Sequence, residues 1–403
     1  MSHSDTLTLS DAPMPAPARV FMSLLARLTE GSLGVITPAG RRHDFGNRAA
    51  PHAELVLNDW RACGAILAGG DIGFADAYRN GWLDSPDLAA LVRLAIRNDA
   101  VLTRALFGGR LARLWYALRH RLRANTRGGS RRNIHAHYDL GNDFYARWLD
   151  PGWSYSSALF DGDLQRPLFD AQCAKYQRII DRLQLRAGMQ VLEIGCGWGG
   201  FAEHAARQGI AVHGITLSPS QLRVAQARIA DAGLQPLARL ELRDYRDLAG
   251  SYDAVVSIEM FEAVGERFWP QYFGILRARL RPGGRAMVQS ITIDEAFFAR
   301  YRASSDFIRE YIFPGGMLPS VPRFEAAAAA SGLATREVFR FGADYAETLR
   351  RWARSFESQC EAILAQGFDE RFIRVWRLYL AYCEAGFDEG RTDVVQCLLH
   401  RQD

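Results

Sequence analysis

The stretch VLEIGCGWGGF, residues 191–201, sets an apolar run directly against a glycine-rich turn. The run reads as a buried strand. Gly195, Gly197 and Gly200 follow at a spacing that lets a backbone come close to a nucleotide-like cofactor. That spacing alone suits a dinucleotide as well as other nucleosides, so the decision falls to the next strand. A dinucleotide fold places an Asp or Glu about 20 residues after the glycines, on the ribose 2′-hydroxyl. Here that place falls in GITLS, residues 214–218, where Thr216 stands and the next acid is Asp231, inside a helical stretch. The pattern therefore disfavours a nicotinamide cofactor.

Outward from the loop, strand and helix alternate. MQVLEI is a strand, and GGFAEHAARQG is a helix closing at Gly209. IAVHGIT is a strand, and SPSQLRVAQARIADAG is a helix with Ser218 as N-cap and Gly233 past its end. ARLELRDY, YDAVVSIEM and RAMVQSITI are further strands. Apolar strands separated by helices imply a parallel, doubly wound α/β sheet covered on both faces. Two helical stretches follow, residues 345–367 and 369–387, and TDVVQCLLH, residues 392–400, fits a last, antiparallel strand.

The other end of the chain has a different texture. Residues 1–18, rich in Pro, Ala and Ser, read as a flexible tail with neither the basic nor the apolar region of a signal peptide. Residues 19–108 read as a smaller α+β domain for lipid binding or assembly. VFMSLLARLTEG is a short helix, and GSLGVITPAGRRHDFGN is strand, turn and strand. SPDLAALVRLAIRND is a helix with Ser85 as N-cap and Pro86 at its first position. Residues 109–132 follow as a linker, with eight arginines and no acid between Arg110 and Arg132. Leu111, Leu114, Trp115, Leu118 and Leu122 form one helical stripe there. The segment is a basic amphipathic helix and hinge, either packed between domains or meeting anionic lipid headgroups. Residues 133–403 form the catalytic domain.

Composition narrows the classes. The chain of 403 residues has a net charge of +4, too small to imply nucleic-acid binding by itself. No apolar run approaches the roughly 18–20 residues of a membrane span. The six cysteines lie far apart with no metal-ligand spacing, which fits reduced thiols in a cytoplasmic protein and no metal.

Glu193 extends the glycine loop to ExGxGxG, residues 193–199, which resembles the nucleotide loop of class I (Rossmann-like) S-adenosylmethionine-dependent methyltransferases. Larger blocks are more specific: HAHYDLGNDFYARWLDPGWSYSSALF before the loop, then VSIEMFEAVGERFWPQYF, EYIFPGGMLPS and FGADYAETLRRW after it. In this order they resemble cyclopropane-fatty-acyl-phospholipid synthases and the mycolic acid cyclopropane synthases, over residues 133–402. Residues before the linker resemble, more weakly, the extra domain of the phospholipid-acting bacterial enzymes.

The resemblance implies transfer of the methyl carbon of S-adenosylmethionine to the cis double bond of an unsaturated phospholipid acyl chain. An alkene is a poor nucleophile and attack leaves a carbocation, so the site has to be apolar, dry and able to accept a proton. Aromatic faces stabilise a desolvated cation by about 2 kcal/mol. Phe261, Phe307, Tyr311, Phe313 and Tyr345 are candidates, ordinary core packing being the other reading. The resemblance further implies a bicarbonate base near a Cys, a Glu, a His and a Tyr. The Glu matches Glu262 and the Tyr matches Tyr345, while Ser157 stands for the Cys and Gln289 for the His. These departures leave the product open between a cyclopropane and a methyl or methylene branch; a non-catalytic lipid- or cofactor-binding protein is a reading of another class. Implied cofactor contacts are Tyr155, Ser156, Glu193, Gly195, Gly197, Thr216, Leu217, Gln221, Asp244 and Tyr245. Asp244 is placed for the adenine edge. His137 is structural or positions substrate. Relatives of this length imply a homodimer, peripherally bound to the inner face of the membrane.

Overall fold

A computed structural model of the chain describes residues 14–106 and 140–402. The basic segment 109–132 and His137 lie outside the described residues. The chain divides into two compact units. The described part of the first is residues 14–106 with Phe368–Glu389, and that of the second is residues 140–367 with 390–402.

The first unit holds a four-stranded sheet in the order β2-β1-β3-β4, made of β1 (Ser32–Ile36), β2 (Arg42–Gly46), β3 (His52–Leu57) and β4 (Leu83–Asp84). β2 and β4 pair antiparallel at its edges, and β1 with β3 runs parallel. Helices Ala16–Leu25, Arg61–Arg79, Leu88–Arg97 and Asp99–Leu106 accompany it. Asn98 ties the chain together: its Oδ1 accepts from the Thr29 and Glu30 amides at 2.9 and 3.1 Å, and its Nδ2 donates to Glu30 O at 2.7 Å.

Two features differ from the sequence reading. The helix at Leu88 is capped by Asp87, whose Oδ1 accepts from Ala90 N at 2.8 Å. Ser85 Oγ is buried without a partner. Pro86 thus precedes the cap, and the acid two residues beyond Ser85 takes the role assigned to the serine. The helix Glu370–Asp388, read as catalytic, packs in the first unit. Arg374 donates to Leu83 O and Asp84, and Arg93 pairs with Glu384 and Asp388. Helical periodicity is a local signal and does not say which layer a face will cover.

The second unit is a seven-stranded sheet in the order β10-β11-β9-β8-β5-β6-β7. Its strands are β5 (Gln190–Ile194), β6 (Ala211–Thr216), β7 (Ala238–Leu242), β8 (Tyr252–Ile258), β9 (Leu280–Ile293), β10 (Leu333–Arg340) and β11 (Thr392–Arg401). β9, β8, β5, β6 and β7 run parallel, while β11 is antiparallel to β9 and β10. The sheet separates two apolar cores. One packs Ile179, Ile180, Phe201, Ala205 and Ile229 against it, and the other Tyr272, Phe273, Leu276, Phe298 and Phe324. β6 and β8 leave β5 on opposite sides, so the β5–β8 boundary is the switch point at which such sheets bind ligands beyond their carboxyl ends.

Replacing Asp87 with Ala should lower the stability of the first unit by about 1 kcal/mol, whereas Ser85→Ala should change it by a few tenths. Chemical denaturation of both variants, followed by circular dichroism, reads the difference.

Candidate active site

The glycine loop leaves β5 at the switch point. Gly195, Gly197 and Gly199 all take positive φ, at 87°, 51° and 83°, before the chain enters the helix Gly200–Ala206. The Gly195 and Cys196 amides both donate to Ile215 O at 2.9 Å, which fixes the loop to the end of β6. A Cβ on Gly195 would lie 3.0 Å from Met260 Cγ, and one on Gly200 would lie 2.8 Å from the Tyr176 hydroxyl. At Gly197 a Cβ would meet nothing within 4 Å, so the loop is open on that side.

These residues fit S-adenosylmethionine. Glu193 Oε2 is buried with no partner in the protein, which is the state expected of an acceptor reserved for a ligand. Burial pushes its carboxyl up to about 8, opposed by Lys175. Thr216, the last residue of β6, and Gln221, in the helix that follows, are buried, with Leu217 half-buried. Ser218 caps the helix Pro219–Asp231, accepting from Gln221 N at 3.3 Å. Asp244 follows β7 as expected, but Arg246 holds its carboxylate in a fork at 2.8 and 2.6 Å. Both oxygens are thus engaged by a side chain two residues on. Tyr245 meets Tyr272 edge-on at 5.7 Å.

A second set of groups surrounds the carboxylate of Glu259, which the sequence reading missed. Ser157 N donates to its Oε1 at 2.9 Å, Gln289 Nε2 donates to the same oxygen at 2.8 Å, and Tyr345 OH donates to Oε2 at 2.7 Å. Three of the four residues assigned from the resemblance therefore converge, but on Glu259 and not on Glu262. Ser157 contributes its backbone; its hydroxyl turns to Ala158 O. Glu262 sits apart, its Oε1 accepting from Ile291 N at 2.5 Å and Ser290 Oγ at 3.0 Å, and its Oε2 is buried without a partner.

The two carboxyls, three residues apart beyond β8, have different surroundings. Burial pushes the Glu262 carboxyl up to about 8, and the neighbouring Glu259 adds to this. Burial also raises Glu259, opposed by Lys175 and by the donors from Ser157, Tyr345 and Gln289. Three donors on one carboxylate favour its ionised form and so oppose its burial, and negative charge on Glu259 favours the protonated form of Glu262. Lys175 is fully buried; burial pushes its ammonium down to about 8 against the pull of Glu259 and Asp150. It donates to Ser156 Oγ and Gln172 Oε1, both at 2.6 Å.

Aromatic rings stand around these groups. Tyr155 contacts Tyr145, Trp148, Phe313 and Trp352, with centroids 5.3 to 6.5 Å apart, and Tyr345 meets Trp352 at 6.1 Å. Trp198, in the glycine loop, joins the group through Tyr145 at 5.2 Å. Of the aromatic candidates, Tyr345 and Phe313 belong here. Phe261 packs in the core with Trp269, Tyr272, Phe273 and Phe324, while Phe307 pairs with Tyr311.

The loop, the switch-point sheet and the buried acids define a class I S-adenosylmethionine-dependent methyltransferase. Residues 126–397 match the family model described as mycolic acid cyclopropane synthetase, and the chain belongs to that family. It is 40% identical to the tuberculostearic acid methyltransferase UfaA1 of Mycobacterium tuberculosis, across 83% of this chain and 79% of that one. It is 34% identical to the cyclopropane-fatty-acyl-phospholipid synthase of Escherichia coli, across 83% and 85%. Among solved structures, the mycolic acid cyclopropane synthase CmaA1, complexed with SAH and CTAB, aligns with a TM-score of 0.63 at 31% identity, over 67% of this chain and 98% of that one.

The Glu262 carboxyl, ionising near 8 in the folded chain and near 4.5 when unfolded, stabilises less as pH rises between those values. Glu262→Gln keeps the acceptor for Ile291 N and removes the ionisation. Its stability relative to the parent should therefore rise between pH 6 and pH 9, by on the order of a few kcal/mol. Urea unfolding at the two pH values measures this.

Proposed function

We propose that the protein transfers the methyl carbon of S-adenosylmethionine to the cis double bond of an unsaturated acyl chain carried on a phospholipid, through a carbocation that loses a proton within the site. The observation that carries this reading is the Glu259 carboxyl, gripped by donors from Ser157, Gln289 and Tyr345 at the switch point and beside an aromatic group, with Glu262 three residues on. S-adenosylmethionine supplies an electrophilic methyl on a sulfonium. Glu193, the backbone around Gly195 and Gly197, and Thr216, Leu217 and Gln221 are the residues that would hold it; Tyr155 and Ser156 would meet its methionine end. Tyr155, Trp352 and Tyr345 present π faces suited to a cation and keep out water, which would otherwise capture it. The Glu259 carboxylate, held by three donors, would give the departing proton an acceptor.

Closure to a cyclopropane is the first product reading, in line with the family and with the name of the Escherichia coli relative. A methylene or methyl branch is the second. It is favoured by Gln289, which donates a hydrogen bond but carries no charge and does not titrate, and by the name of the UfaA1 relative. Incubation with radiolabelled S-adenosylmethionine and vesicles of unsaturated phospholipid should place label in the acyl chain. Proton NMR of the released fatty acid distinguishes ring from branch. Label that stays out of the acyl chain overturns the proposal.

The same proposal puts the enzyme on an anionic membrane surface, as a homodimer. No helix among the described residues is long and apolar enough to cross a membrane. The support for docking is the arginine run from Arg110 to Arg132 beside its apolar stripe. Each Arg near an anionic surface contributes about 1 kcal/mol, screened by salt. Replacing Arg113, Arg119 and Arg123 with Gln should weaken vesicle binding by roughly 2–3 kcal/mol. Co-sedimentation with anionic and neutral vesicles at low and high salt tests this.

A further inference from the structure

We propose that Glu259 is the general base of this site, a carboxylate supplied by the chain itself where the resemblance implied a bound bicarbonate ion. The inference rests on the acyl-chain reading above and names the group that takes the proton.

Three observations carry it. First, Glu259 is gripped as a bound anion would be. Both oxygens are held at 2.7 to 2.9 Å by donors from three separate segments: the turn at Ser157, strand β9 at Gln289 and the helix Gly342–Ser358 at Tyr345. These are the positions from which the resemblance gave an anion its ligands. The protein's own carboxylate already engages them.

Second, the backbone is bent to present this side chain. Glu259 has φ of 48°, in the left-handed region that a side-chain-bearing residue seldom adopts. Its own amide is tied to Gln289 O at 2.8 Å, so the strained turn and the strand that supplies the donor are locked together. Strain of this kind persists where surrounding structure over-determines it, and it clusters at functional sites.

Third, a relay fixes which way Gln289 points. An amide could offer Glu259 either its NH2 or its oxygen. Here Gln289 Oε1 accepts from Gln396 Nε2 at 3.0 Å, and Gln396 Oε1 accepts from Arg178 Nη1 at 2.6 Å. Gln289 and Gln396 face each other in the β9–β11 register, and both are buried. A guanidinium can only donate, so Arg178 sets the polarity of both amides and turns the Gln289 NH2 onto Glu259. Arg178 is itself anchored on Glu337 and over the Phe339 ring, 3.8 Å from its centroid. Neutral Gln289 thus suffices where a permanent carboxylate is held. Gln289, Gln396 and Arg178 are positioning residues.

The step balances. The alkene π pair forms the bond to the methyl carbon, and the S–C pair stays on sulfur. A C–H bond of the added methyl then breaks. Its electron pair closes the third bond of the ring, or the exocyclic double bond if a hydride has first shifted to the cationic carbon. The proton passes to Glu259, which becomes neutral. Glu262 is set apart from this role: its Oε1 is taken up by Ile291 N and Ser290 Oγ, and burial beside Glu259 favours its protonated form.

The test uses the full chain with vesicles, in buffer depleted of bicarbonate and in buffer supplemented with it. Calorimetric binding of S-adenosylmethionine serves as a control for folding. The parent should turn over at the same rate in both buffers. Glu259→Gln should bind S-adenosylmethionine within about threefold of the parent, yet lose about 100-fold or more in turnover in either buffer, the usual size of a general-base contribution. Glu259→Gly vacates the anion position, so bicarbonate should restore about tenfold or more of its lost rate. Broadening of the 13C-bicarbonate NMR signal should appear with the glycine variant and not with the parent. A parent that slows on bicarbonate depletion or that broadens the bicarbonate signal overturns the inference. So does Glu259→Gln turning over near the parent rate. A parent that puts no label into acyl chains overturns the acyl-chain reading instead, so the two failures are told apart.

Discussion

The ammonium of Lys175, fully buried behind the carboxyl ends of the strands, is the charge around which the catalytic unit is arranged. A lone ammonium in such a place is costly, and it persists because hydrogen bonds and opposite charge offset the loss of water. Ser156 and Gln172 supply the hydrogen bonds. Glu259 and Asp150 supply most of the opposite charge. Lys175 in turn divides the acids. It pulls Glu259 towards its ionised form against burial, whereas Glu262 has Glu259 for a neighbour and is pushed up further. Two carboxyls of the same type, three residues apart, thereby stand in opposed electrostatic surroundings.

The sheet topology brings these groups to one place. β5 delivers the glycine loop and β8 delivers Glu259, and the two strands are paired neighbours at the point where the order reverses. The loop also runs close to the residue after the acid, since a Cβ on Gly195 would lie 3.0 Å from Met260 Cγ. β9 contributes Gln289 and β11 contributes Gln396, each from its place in the ladder. The helix Gly342–Ser358 brings Tyr345. No two of the groups on Glu259 come from the same element, so the hub forms only when the sheet has assembled.

Much of this architecture is legible in the sequence. Period and punctuation locate β5 to β9, the caps at Ser218 and Gly233, and the antiparallel β11. The pattern after β5 identifies the cofactor class. What remains hidden is the set of choices that depend on geometry across the sheet. Glu259 and Glu262 are both visible in SIEMFEAVG, but which of them gathers the donors follows from the left-handed turn at Glu259, which no spacing rule expresses. The signal that could have found it is the second acid itself, an E-x-x-E at the end of a strand opposite a glutamine in place of a histidine. Gln396 carries no local mark at all; its role comes from facing Gln289 across the ladder. The sequence places Asp244 for the adenine edge but does not show the fork from Arg246, which needs the turn after β7 to close.

The path of the chain through the helix Glu370–Asp388 bears on how the protein is made. Arg93 emerges from the ribosome long before its partner Glu384, which lies 291 residues further on. At about 5–20 residues per second, that interval is roughly 15–60 s of synthesis. Throughout it the first unit lacks a helix of its core, and the catalytic sheet lacks β11, which inserts between β9 and β10. Neither unit is complete before that interval ends. Both are closed by the same late stretch of chain, so until it is made two half-built cores stay open side by side in time.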